Sequence, residues 1–116
     1  MYDKAFADLP VVTPLPPEPG TVYGRHLYSI LIDIDHVKMT RDQVQQRLHE
    51  MNIGTSVHFV SLHLHEYFRK TFGFQPHDFP NAKYISNRTI SLPLSRKLRD
   101  EDVEDVISAV SEILIG

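Results

Sequence analysis

Residues 28–35 read Tyr28-Ser29-Ile30-Leu31-Ile32-Asp33-Ile34-Asp35. Tyr28, Ile30, Ile32 and Ile34 alternate with Ser29, Leu31 and Asp33. Period-two alternation of aromatic and β-branched residues predicts a strand, here from His26 to Asp35, with the two aspartates marking its end. A helix signal follows. In Thr40-Arg41-Asp42-Gln43 the Thr hydroxyl can accept the N3 amide while Gln43 reaches back, the capping-box pattern. Val44, Leu48 and Met51 then form one apolar stripe. Asn52 and Gly54 can terminate the helix in the left-handed region.

The pattern extends outward from this pair. Thr55–Val60 reads as a second strand, with Val57 and Phe59 on one side and Ser56, His58 and Val60 on the other. His63–Lys70 reads as a short helix. A loop with Pro76 and Pro80 leads to a helical turn over Asn81–Asn87, with Asn81 as its cap. Ile90–Leu94 reads as a third strand that Pro93 confines to an edge or an end. Val103, Val106, Ile107, Val110 and Leu114 recur at helical spacing and predict a closing helix. The expected fold is α+β, a small three-stranded sheet with helices packed on one face. Its other face would be uncovered and would pack on something else.

The chain has 116 residues, 41% hydrophobic and 23% charged, which suits one soluble domain with a modest core. No apolar run approaches the ~20 residues of a membrane span. Asp3 and Asp8 beside Lys4 do not suit a secretory signal. With no cysteine, disulfides, thiolate metal sites and a Cys nucleophile are excluded. The default location is cytoplasmic. Residues 1–99 carry 12 bases and 9 acids, a net +3; residues 100–116 carry 6 acids and no base. Acids at a helix start offset its partial positive charge, which explains this tail as helix chemistry. Without a basic face, nucleic acid is not the expected partner. Five of the 8 prolines lie between Pro10 and Pro19. This stretch reads as an extended connector after the tail of a helix at Tyr2–Leu9. Residues 1–20 would thus be a helix tail and connector, and 21–116 the domain.

The chemistry-bearing residues are histidines, 7 in all, with His58, His63 and His65 within eight positions. A metal site is one reading, since imidazole is a common ligand and Glu66 is near; the helical H-E-x-x-H spacing is absent. Satisfied or surface histidines are another. A third is substrate binding: if Val57 and Phe59 face the helices, His58 faces the open side of the sheet. His26 and His65 read as structural or surface, and His36, His49 and His77 as surface.

The run Gly54-Thr55-Ser56-Val57-His58-Phe59-Val60-Ser61-Leu62-His63 resembles a stretch of the DegT/StrS sugar-nucleotide aminotransferases, pyridoxal-phosphate (PLP) enzymes of fold type I. The resemblance extends through His26-Leu27-Tyr28, Thr40-Arg41-Asp42, Tyr67-Phe68, Phe79-Pro80-Asn81-Ala82, Ser86-Asn87-Arg88-Thr89-Ile90-Ser91-Leu92-Pro93-Leu94, Asp102-Val103 and Val106-Ile107. It covers residues 1–115 and implies the C-terminal small domain only. The family's enzymes are about three times longer and hold PLP on a lysine of an N-terminal domain. None of Lys4, Lys38, Lys70, Lys83 and Lys97 matches that lysine's context. The fragment alone is therefore expected to bind no cofactor and to be inactive. The resemblance implies amino transfer from glutamate to a keto-sugar nucleotide, with 2-oxoglutarate leaving, in a homodimer. The His58-Phe59 pair resembles the branch acting on a UDP-4-keto-pentose for lipid A modification. The implied substrate-binding residues are His58, His63, Arg88 and Phe59, with no metal ligand and no catalytic residue in this stretch. A stand-alone small-ligand-binding α+β module is the alternative.

Overall fold

The alternation at Tyr28 forms the central strand of the sheet. A computed structural model describes residues 1–116. Three strands build an antiparallel sheet in the order β1-β2-β3: β1 is Val11–Val12, β2 is Tyr28–Ile32 and β3 is Thr89–Leu92. The register sets Val11 opposite Ile32, Ser29 opposite Ser91 and Ile30 opposite Ile90. Six helices complete the fold: α1 Tyr2–Ala5, α2 Ile34–Val37, α3 Arg41–Glu50, α4 Glu66–Phe72, α5 Pro80–Ser86 and α6 Asp100–Ile115. A 3-10 turn over Leu62–Leu64 precedes α4. No helix is long and apolar enough to cross a membrane.

The α+β class and the three-stranded sheet are as expected, but the strands are not all the expected ones. Thr55–Val60 forms no strand; only Ser56 bridges to Ser91. The next bonded pair along this segment would join His58 to Thr89, but the Thr89 carbonyl accepts from Arg41 Nη1 at 3.2 Å instead. The third strand is instead Val11–Val12, inside the proline-rich stretch. It sits at the sheet edge, where prolines on either side break no central ladder. β2 stops at Ile32 because Asp33 caps α2, accepting the His36 amide at 3.1 Å.

Local chemistry explains the helices. In α3 both capping-box bonds are present: the Thr40 amide donates to Gln43 Oε1 at 2.8 Å and the Gln43 amide to Thr40 Oγ1 at 3.2 Å. Asn52 follows with φ 61°, the expected left-handed residue. Asn81 is not the cap of α5: Phe79 is, and the helix begins at Pro80, which takes the first helical position, where no amide is needed.

One core holds the layers together. Tyr28, Ile30, Ile32, Ile90 and Leu92 pack against Val44 and Leu48 of α3 and Val106, Val110 and Leu114 of α6. Each such side chain contributes about 1.5–3 kcal/mol on burial. Tyr2 and Phe6 join the same cluster, so residues 1–20 add a helix and an edge strand to this core. Polar contacts pin α1 as well. The Tyr2 hydroxyl donates to the Pro93 carbonyl at 2.9 Å, and the Tyr28 hydroxyl to Asp3 Oδ1 at 2.6 Å. Arg25 grips both Asp3 oxygens at 3.1 Å. The Tyr28 bond, aided by Arg25, holds the Asp3 carboxyl below its usual range. Burial, then the bond to Asp3, pushes the Tyr28 hydroxyl up.

Candidate functional site

β2 and β3 alternate, so Ser29 and Ser91 share the sheet face opposite the core. The two hydroxyl oxygens lie 2.8 Å apart across the strands. His58 reaches this face from the segment after α3. Ser56 is tied to Ser91 by two backbone bonds, its amide to the Ser91 carbonyl at 3.1 Å and the Ser91 amide to its carbonyl at 2.8 Å. Five residues on, Ser61 is tied to α5: its amide donates to Ser86 Oγ at 3.1 Å and its hydroxyl to the Ala82 carbonyl at 2.7 Å. Between the anchors the chain turns through a cis peptide at His58-Phe59. His58 Nδ1 then lies 2.9 Å from Ser91 Oγ. The half-buried imidazole sits on the polar sheet face, where the alternation argument put it, though for a different reason. Phe59 does not face the helices. It is 75% exposed and meets the His58 ring edge-on at 5.0 Å.

His63 lies in the 3-10 turn and is 5% exposed. Its Nε2 is buried with no hydrogen-bond partner. Leaving such a group unpaired costs about 1–3 kcal/mol. The ring packs 5.0 Å from that of Phe79, beside a cleft of about 400 Å³ that Phe68, Phe74 and Phe79 also line. Arg88 stands apart from both histidines. Its guanidinium donates to Asp35 Oδ2 at 2.9 Å and stacks 4.0 Å from the centre of the Tyr84 ring. No hydrogen bond or ion pair joins it to His58 or His63.

His58 and Phe59 are thus side by side on the polar sheet face, His63 packs against Phe79, and Arg88 is engaged elsewhere. His26, His36, His49, His65 and His77 are exposed. No group of three or more His, Asp or Glu side chains is arranged to hold a metal ion. Four of the five lysines are exposed and Lys83 is half-buried; Lys70 pairs with Glu66. Sequence reasoning missed Ser29 and Ser91 as partners of His58. The motif around Ser91 was visible, but the pairing needs the strand register. It also missed Tyr84 and Asp35, which occupy Arg88.

A small antiparallel sheet with α1, α3 and α6 on its core face, and one histidine held on its other face, is the class of fold described. The DegT/DnrJ/EryC1/StrS aminotransferase family matches residues 1–111. The chain belongs to this family. It is 43% identical over 117 residues to the spore coat polysaccharide biosynthesis protein SpsC of Bacillus subtilis, covering 99% of this chain and 30% of SpsC. The PLP form of Spr1654 from Streptococcus pneumoniae superposes with a TM-score of 0.82 at 29% identity, covering 98% of this chain and 29% of that one. PseC of Helicobacter pylori, an aminotransferase involved in the biosynthesis of pseudaminic acid, superposes with a TM-score of 0.79 at 26% identity, covering 98% and 30%. The chain spans about 30% of the length of the curated relatives it matches.

Proposed function

We propose that this chain is the C-terminal small domain of a PLP-dependent sugar-nucleotide aminotransferase, with residues 1–20 not only leading into residues 21–116 but also supplying α1 and β1 to their core and sheet. In the complete protein the cofactor would be held by an N-terminal domain. The residues here do not fit PLP by themselves: no lysine lies against His58, and Lys70 is engaged by Glu66. PLP, when bound, carries an amino group from glutamate to a keto-sugar, and 2-oxoglutarate leaves. The domain's part is to line the sugar cleft. The homodimer and the cytoplasmic location belong to the same reading.

The observation that carries it is the placement of His58. Two serine anchors and the Ser91 hydroxyl hold the imidazole on the polar sheet face, with Phe59 exposed beside it. A neutral imidazole there can donate or accept one hydrogen bond to a bound sugar. His63, two residues past the Ser61 anchor and packed against Phe79, would help shape the same segment. Arg88, once free of Asp35, would meet a carboxylate or phosphate. For the acceptor, the His58-Phe59 pair favours a UDP-4-keto-pentose for lipid A modification. SpsC and PseC belong to spore coat polysaccharide and pseudaminic acid biosynthesis, so those keto-sugar nucleotides are the competing acceptors. The test is an amino-transfer assay of the complete protein with PLP, glutamate and all three acceptor classes. Turnover of one class is expected; no 2-oxoglutarate with any of them would refute the reading.

A further inference from the structure

We propose that Ser91, backed by Ser29, is a positioning residue that fixes the tautomer of His58 and makes its Nε2–H a hydrogen-bond donor toward an oxygen of the sugar nucleotide. This rests on His58 facing the substrate. Ser91 is suited to the task because its backbone is already spent: its amide and carbonyl both go to Ser56. Only the hydroxyl remains, and it touches two groups, Ser29 Oγ at 2.8 Å and His58 Nδ1 at 2.9 Å. Ser91 is buried and Ser29 half-buried, so water competes little for the Ser91 hydroxyl. Each serine brings one proton, and the chain has two links. Run from Ser29 to Ser91 to Nδ1, both protons find acceptors within it. Run the other way, Nδ1–H fills the first link and the Ser29 proton is left outside. In the first direction the proton outside the two links is the imidazole's Nε2–H, which is not sealed from solvent or ligand, whereas in the second it is that of Ser29, whose hydroxyl has no partner other than Ser91.

An accepting Nδ1 leaves the single proton of the neutral ring on Nε2. Nε2 is also the only ring nitrogen left for a ligand. A donor there suits the acceptor oxygens of a keto-sugar nucleotide, its carbonyl, hydroxyls and phosphates. It disfavours a ligand whose nearest group is a cation or a donor without lone pairs.

The tautomer is read directly on the 116-residue chain by long-range nitrogen-15 NMR of His58, with no cofactor needed. The expected result is the Nε2–H form in the native chain, a mixture of both tautomers and a mobile ring in Ser91→Ala, and recovery in Ser91→Thr, which keeps the hydroxyl. Should the buried Ser91→Ala variant fail to fold, Ser29→Ala removes the outer donor and is expected to mix the tautomers while the ring stays ordered. An Nδ1–H form in the native chain, or unchanged tautomers in a folded Ser91→Ala or Ser29→Ala variant, would overturn the relay. In the complete protein, Ser91→Ala should cut sugar-nucleotide turnover about tenfold, the scale of one hydrogen bond, and leave the glutamate half-reaction alone. A changed tautomer with unchanged turnover would overturn the substrate-facing half of the proposal and leave the serine relay standing.

Discussion

Replacing Phe6 by Ala tests whether the first helix belongs to the domain. α1 is four residues long, far too short to persist alone in water. Its order must come from packing. Phe6 is 1% exposed, stacks on Tyr2 with ring centres 5.5 Å apart and meets Tyr28 at 6.4 Å. Tyr28 is on the central strand, so the ring links α1 to the sheet. Truncating a fully buried Phe costs about 3–5 kcal/mol. A terminal segment can relieve part of that by detaching, which places Phe6→Ala near the lower end, at about 3 kcal/mol. Against a total of about 5–15 kcal/mol for a domain, this is a large loss. Urea unfolding of the 116-residue chain measures it. Amide exchange should accelerate together across residues 2–12 and at the β1-β2 pairing. The exposed neighbour Ala7→Gly is the control and should leave the β1-β2 amides unchanged. A loss below about 1 kcal/mol, with exchange in β1 and β2 unchanged, would refute the placement of α1 in the core.

Thr40→Ala removes the side-chain half of the α3 capping box and should cost about 1 kcal/mol by the same urea assay, while Thr40→Ser should cost little. Ser61→Ala deletes the bond to the Ala82 carbonyl, so amide exchange across residues 58–64 should rise with global stability nearly intact; unchanged exchange would mean that this anchor does not hold the His58 segment. The Asp3-Tyr28 pair predicts the pH profile of stability. Asp3 is held below the ordinary carboxyl range, so its contribution is present above that range and fades as pH falls through the lower folded value. Tyr28 is held above 10.0, so its contribution is intact below that pH and fades as pH rises toward the higher folded value. Tyr28→Phe should flatten both limbs and cost about 1 kcal/mol at neutral pH, an exposed carboxylate being partly screened.

What the sequence revealed was local. The Thr40 capping box needs four consecutive residues and formed as read. The alternation from Tyr28 to Ile32 records burial on one face and needs no partner to be seen. Thr55–Val60 carries a similar alternation, but a strand requires a neighbour with free backbone groups, and Arg41 takes the Thr89 carbonyl that His58 would need. Val11–Val12 was hidden by the prolines around it, which rule out a central strand and permit an edge. The site follows the same division. His58 was visible as a residue on the polar face, whereas its tether to Ser91 and Ser29 depends on register across 33 and 62 residues of chain. Arg88 read as a substrate-binding residue, and Asp35 and Tyr84 reach it only in the fold.

The most direct measurement separates the two half-reactions in the complete protein. His58→Ala should keep the bound-PLP absorbance and the glutamate half-reaction, and should slow amino transfer to the keto-sugar nucleotide at least tenfold, the scale of one hydrogen bond. A sugar half-reaction as fast as that of the unaltered protein would contradict the assignment of this sheet face to the substrate.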